Sequence, residues 1–122
     1  MSKNSDSVYL QHILEAINNI EASIKGVQGE GFNQNVQLQA AILHFIQIVG
    51  EAVKFLSPKL KEKYPEVAWS QIAGMRNKVV HEYFQVDLDV VWDTVTNDVP
   101  SFKVQVEKIL KELQEGVKTP AH

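Results

Sequence analysis

A single arginine occurs in this chain, Arg76, and it opens the octapeptide Arg76-Asn77-Lys78-Val79-Val80-His81-Glu82-Tyr83. Its guanidinium is always charged and presents a planar fork of donors suited to a phosphate or a carboxylate. His81 carries the side chain whose charge changes near neutral pH, and Asn77 offers an amide one helical turn before it. The three supply an anion clamp, a proton shuttle and a group to orient the shuttle. Those are the parts that RNA cleavage without a metal needs. A base takes the proton of the 2′-hydroxyl, a cation stabilises the charge building on the phosphorane, and an acid protonates the departing 5′-oxygen. One histidine is poorly suited to be both acid and base in one in-line step. A twofold homodimer bringing two octapeptides together would supply two histidines and two arginines.

Each residue also has a purely structural reading. On a helical wheel of about 100° per residue, Trp69, Ile72, Ala73, Met75, Val79, Val80 and Tyr83 share one apolar arc, and Arg76 lies inside it. An arginine on a buried stripe is costly to desolvate unless something pairs with it. Arg76 is then an ion-pair partner of Glu51, Asp87 or Asp89, a side chain snorkelling past Tyr83, or the anion-binding group of a cleft or twofold interface. His81 alone, at a face boundary, reads most simply as a satisfied, half-buried side chain; Asn77 and Arg76 beside it favour catalysis. Gln71, Gly74, Lys78 and Glu82 fall on the far side, as a solvated surface. Other chemistries are poorly served. His12, His44 and His81 lack metal-ligand spacing, so no metal is expected. No Gly-rich phosphate loop follows a strand, and no cofactor is expected. Asp87 and Asp89 read as helix-capping residues.

The elements that must position the octapeptide read as helices. Residues 1–5 form a tail, with Asp6 or Ser7 as a cap. Leu10, Ile13, Leu14, Ile17, Ile20 and Ile24 then recur at three- and four-residue steps, ending near Gly26. Gly26 to Gly31 reads as a loop. A second helix is expected from about Asn33 to Ser57, with Ile42, Phe45, Ile46, Val49, Ala52, Val53 and Leu56 inward. His44, Gln47, Glu51 and Lys54 gather on its opposite side, either as a solvated face or with His44 or Glu51 lining a cleft. Ile48 and Phe55 widen the apolar surface, as in a central helix facing both its own core and a partner subunit. Lys59 to Tyr64 reads as a short turn or helical remnant. The third helix, from about Glu66 to Phe84, carries the octapeptide. Asp87 caps a fourth, with Leu88, Val91, Trp92 and Val95 as its apolar side. Pro100 begins a fifth, with Phe102, Val106, Ile109, Leu110 and Leu113 inward and Gly116 as its stop. No strand pattern stands out. The expected fold is all-α, one domain over 1–122 with its core at about 7–116, built as an antiparallel bundle of four long helices plus a short one.

Composition narrows the function further. Apolar residues make up 44% and charged residues 22%, which is ordinary globular composition, not disorder. A net charge of -3 and a pI near 5.8 argue against a broad nucleic-acid footprint, while allowing a small site that grips one or two phosphates. The absence of cysteine removes disulfides and thiolate metal sites. No run is expected to span a bilayer, and the expected setting is cytoplasmic, with no membrane partner.

Arg76-Asn77 with His81-Glu82-Tyr83 resembles the R-x4-6-H signature of HEPN-domain ribonucleases, and more narrowly the HepT toxins of HEPN–MNT (HepT–MntA) toxin–antitoxin modules. Val49-Gly50-Glu51-Ala52, Trp69-Ser70-Gln71-Ile72-Ala73-Gly74-Met75 and Val86-Asp87-Leu88-Asp89-Val90-Val91-Trp92 are similar to phrases of that group, over roughly residues 8 to 113. The resemblance implies a HEPN bundle, a homodimer with a composite R-x4-H cleft, and a metal-independent endoribonuclease leaving a 2′,3′-cyclic phosphate and a 5′-hydroxyl. It makes Arg76 and His81 the catalytic pair and Asn77 the polar residue after the arginine, while Glu51, from the polar stripe of the second helix, is a possible support for the cleft. It further implies the toxin half of a type VII system whose partner, a minimal nucleotidyltransferase antitoxin, transfers AMP to Tyr83. On the wheel Tyr83 falls about 20° from Arg76, so a nucleotide there would place bulk and negative charge beside the arginine. The competing expectation is a catalytically silent HEPN module that only binds the nucleotidyltransferase or a nucleotide.

Overall fold

Leu10, Ile13, Ile17 and Ile20 are all fully buried in the computed structural model of the chain, along one stripe of helix α1, Ser2–Ile24. The structure describes residues 2–75, 77, 80–82 and 85–118. The helix begins at Ser2, so the expected tail at 1–5 is corrected, and so is the capping role of Asp6. Its carboxylate instead accepts hydrogen bonds from the Ser57 backbone N–H at 2.8 Å and the Ser57 hydroxyl at 2.7 Å, across the bundle. Asp6 is buried, and these charge-assisted bonds offset its desolvation.

Gly26 ends α1 in the left-handed conformation, φ +77°, which an L side chain adopts only at a cost. Part of the expected 26–31 loop is a short helix, α2, Gly29–Asn33, whose Phe32 is fully buried with its ring 5.2 Å from that of Trp92. Asn35 caps α3, Val36–Phe55, by accepting from the Leu38 N–H. The inward residues of α3 are Ile42, Ile46, Val49, Gly50, Ala52 and Val53, as the three-and-four spacing requires. Tyr9 near the start of α1 stacks on Phe55 at the end of α3, so the two helices run antiparallel. Among the described residues α3 is the one helix long and apolar enough to cross a membrane, which corrects the expectation that no run is. It is apolar because it is the central helix, packed against both α1 and α5.

Ser57 caps α4, Pro58–Lys63, with Pro58 in the first turn where its missing N–H costs nothing. The largest departure from expectation follows. In place of one long helix over 66–84 there is a short α5, Trp69–Ala73, a turn at Gly74, helical conformation again at Met75 and Asn77, and then a two-stranded antiparallel ribbon of β1, Val80–Glu82, and β2, Gln85–Val86. Val80 pairs with Val86 and Glu82 with Gln85.

Asp87 caps α6, Leu88–Asp93, as expected, by accepting from the Val90 N–H. A wide π-turn over Thr94–Asp98 carries that helix directly into α7, Val99–Lys118. Pro100 therefore lies inside a continuous helical run, where a fifth helix was expected to start, and Gly116 does not stop it. A proline crowds the carbonyl four residues back, and a π-turn just before it gives that carbonyl room. The Thr94 and Thr96 hydroxyls donate to the carbonyls of Val90 and Trp92, both at 2.7 Å. Lys103 ties α7 to α1 through an ion pair with Glu21 at 2.7 Å. The all-α class stands, with long helices at α1, α3 and the α6–α7 run.

Candidate active site

The segment leading into Arg76 is held from both sides. Trp69, at the start of α5, is buried; its indole N–H donates to the Tyr64 carbonyl at 2.9 Å and its ring meets Phe102 of α7 edge-on at 6.2 Å. Tyr64 is itself anchored, its hydroxyl donating to the Glu112 carboxylate at 2.5 Å. Burial and that carboxylate push the Tyr64 phenol up to about 12. On the other side, α5 ends directly against Gly50 of α3. A Cβ at Gly50 would stand 3.0 Å from the Ala73 carbonyl oxygen, so any side chain there would require α5 to give by a few tenths of an ångström. Gly74 closes α5, and the Asn77 N–H donates to the Gly74 carbonyl at 2.9 Å.

Two depressions flank this strut. One is a polar hollow of about 210 Å³ lined by Gln47, Gly50, Glu51, Lys54, Ala73 and Asn77. Here the structure brings Asn77, which is exposed, onto the polar edge of α3 beside Glu51, the position the sequence reading gives it as cleft support. Gln47 donates to the Glu51 carboxylate at 3.2 Å and holds it in the hollow. His44, the other candidate on that edge, does not reach the hollow; it is exposed, with its ring 5.5 Å from that of Phe45. Lys54, read from sequence only as part of a solvated stripe, contributes a cation to the hollow. The other depression is a larger cleft of about 690 Å³ between α5 and the start of α7, lined in part by Gly74 and Met75.

Arg76 and Tyr83, assigned from sequence as an anion clamp and a modification site, lie outside the described residues. The side chain of His81 does too; its backbone is in β1. That placement corrects the helical wheel. The backbone of residues 80–82 is extended, so one helix does not run through them and the wheel reading that stacks Asn77 on His81 does not hold over that stretch. The signal was present in Val79-Val80, Tyr83-Phe84 and Val86, a run of β-branched and aromatic residues. Among the described residues, no group of three or more His, Cys, Asp or Glu side chains is placed to hold a metal ion.

A helical bundle whose sequence carries an arginine and a histidine five residues apart, with Asn77 of the same octapeptide lining a polar hollow, has the form expected of a HEPN-type ribonuclease. The HepT-like ribonuclease family matches residues 13–109. A Thermococcus cleftensis protein bearing the name ribonuclease HepT is 39% identical over 109 residues, covering 89% of this chain and 99% of its own. A Caldanaerobacter subterraneus protein named as an RNase is 38% identical over 104 residues, 85% of this chain and 93% of its own. One from Methanocaldococcus jannaschii, also named as an RNase, is 36% identical over 115 residues, 94% and 99% of the two chains. No solved structure matches. The chain belongs to the HepT-like ribonuclease family.

Proposed function

We propose that this ribonuclease is the toxin of a type VII toxin–antitoxin pair, an endoribonuclease that cuts RNA without a metal at a site shared by two copies of the chain. His81 of one copy takes the 2′-hydroxyl proton, and the oxygen attacks the adjacent phosphorus. Arg76 from both copies stabilises the phosphorane, and the second His81 protonates the departing 5′-oxygen. Asn77, the residue after the arginine in sequence, lines the hollow with Glu51, and Lys54 there adds attraction for the RNA backbone. The products are a 2′,3′-cyclic phosphate and a 5′-hydroxyl.

The observation that carries this reading is an intact R-x4-H, Arg76 to His81, in a chain whose family match runs across it. His81→Ala and Arg76→Ala proteins are expected to lose at least about 100-fold in cleavage of single-stranded RNA, with cyclic-phosphate ends from wild type persisting in excess EDTA. Either variant cutting at the wild-type rate would sink the assignment.

The partner in this reading is a minimal nucleotidyltransferase that silences the toxin by transferring AMP to Tyr83, adding charge and bulk to the octapeptide. Incubation with that partner and ATP should add mass in steps of one AMP to wild type and none to Tyr83→Phe. A second reading, a silent module that only binds the nucleotidyltransferase or a nucleotide, draws on the acidic charge balance of -3. It predicts a stable complex with the partner and no RNA cleavage by the isolated chain.

A further inference from the structure

Phe55 is 65% exposed at the end of α3, yet its ring is held in place: it stacks on Tyr9 with 5.4 Å between centroids and 16° between planes. Tyr9 in turn meets the exposed His12 ring edge-on at 6.2 Å. With its inner face on Tyr9, Phe55 turns its outer face to solvent as a fixed aromatic surface. The charge around that surface is unlike the charge of the chain. Residues 54–63 carry Lys54, Lys59, Lys61 and Lys63 against the carboxylate of Glu62, a net of +3 where the whole chain has -3. Lys54, Lys59 and Lys63 are exposed, and Lys61 is half-buried.

This corner continues from the polar hollow. Gln47, Glu51 and Phe55 follow one another at four-residue steps along α3, so they share one side of the helix. Gln47, Glu51 and Lys54 line the hollow, and Phe55 lies about 6 Å beyond Glu51 along the helix axis. A purely apolar partner would leave the lysines unmatched. A single RNA strand, with a π-face and a phosphate at every step, matches both the ring and the cations. We propose that the α3–α4 corner carries the unpaired RNA strand away from the hollow, with one base stacked on the outer face of Phe55 and the backbone met by Lys54 and Lys59. Every base offers a π-face, and a lysine meets only phosphate, so this track selects for an open strand and not for a sequence. A duplex keeps its bases stacked on one another and gains nothing from the ring. The inference rests on the nuclease reading for its purpose, while its test reads binding separately from cleavage.

The test is fluorescence anisotropy of the wild-type chain with a labelled 2′-O-methyl oligouridylate of about ten nucleotides, which presents unpaired bases and phosphates but no 2′-hydroxyl to attack. Phe55→Ala and Phe55→Leu should each weaken binding about tenfold, since leucine keeps an apolar surface but no ring, and Phe55→Trp should bind at least as tightly as wild type. Val104→Ala, which removes an equally exposed side chain on α7, should change nothing. Lys54→Ala and Lys59→Ala should each reduce the slope of log affinity against log salt by about 0.7, and Phe55→Ala should leave that slope intact. A duplex of the same length should bind with no dependence on Phe55. No binding by wild type, wild-type affinity in Phe55→Leu, or a Phe55 effect of equal size on the duplex overturns the inference. So does a wild-type oligomer that Phe55→Ala dissociates in light scattering, because the ring is then a contact between copies. If the binding pattern holds while the protein cuts no RNA, the nuclease reading falls and the track stands. If cleavage depends on Arg76 and His81 while binding ignores Phe55, the track alone falls.

Discussion

Two buried polar side chains do more for this fold than their size suggests. Asp6 spends its carboxylate on Ser57, which in turn caps α4, so a single side chain near the start of α1 orders the α3–α4 corner. Asp6→Ala should cost about 2 kcal/mol, because two charge-assisted hydrogen bonds disappear and their donors lose a partner; thermal unfolding measures it. Tyr64 works by a different route. Its phenol is held neutral by burial and by Glu112, so its pKa stands near 12 against 10 unfolded. The folded state thus favours the protonated form. That contribution is fully present below pH 10 and is lost as pH rises towards 12. Stability of the wild type should therefore fall across that alkaline window, and Tyr64→Phe should show a smaller fall there. At neutral pH the same variant should be less stable by about 1 kcal/mol, the net worth of one hydrogen bond.

At the scale of elements, the site depends on how closely α5 rests on α3. Gly50 sets that distance, since any side chain there meets the Ala73 carbonyl. Gly50→Ala must push α5 outward by a few tenths of an ångström or more, at a cost of about 1–3 kcal/mol as for other overpacked contacts. Because Ala73, Gly74 and Asn77 move with α5, RNA cleavage should drop more than stability predicts. Comparing kcat/KM of Gly50→Ala with that of Asp6→Ala, a fold defect remote from the hollow, separates the two causes. Equal activity per folded molecule in both would show that the α3–α5 spacing does not govern the site. The π-turn before Pro100 is the second such device. It keeps α6 and α7 in one run, so Phe102 beneath Trp69 and the Asp87 cap after β2 belong to one rigid piece.

For the molecule as a whole, the proposed chemistry asks for two copies. If the second His81 is the acid, the rate per chain should fall steeply when the protein is diluted below its dimer dissociation constant, and light scattering should report a dimer at micromolar concentration. A rate per chain independent of dilution in a monomeric sample would remove the composite site. Phe55 of α3 is 65% exposed while stacked on Tyr9, and Val8 is 49% exposed. The sequence reading of α3 as a helix with apolar residues beyond its own core agrees with that exposure.

The sequence by itself determined the class of fold, most of the core and the family. Three-and-four spacing is a property of local order, so the buried stripes of α1, α3 and α7 follow from it, and Asp87 could be read as a cap from its place before an apolar run. The R-x4-H residues are likewise a local string. Only the tertiary structure decided how that string is presented. Residues 66–84 satisfy a helical wheel on paper, yet the helix is interrupted at Gly74, returns at Met75 and Asn77, and gives way to extended chain at Val80–Glu82. Short segments with both periodicities take the form their surroundings reward. The cross-chain bonds of Asp6 and Tyr64, the contact at Gly50 and the meeting of Lys54, Glu51 and Asn77 join residues far apart in sequence. No local pattern encodes such pairs, because their energy comes from proximity that only packing creates. The α3–α5 contact therefore decides which side chains stand beside Asn77.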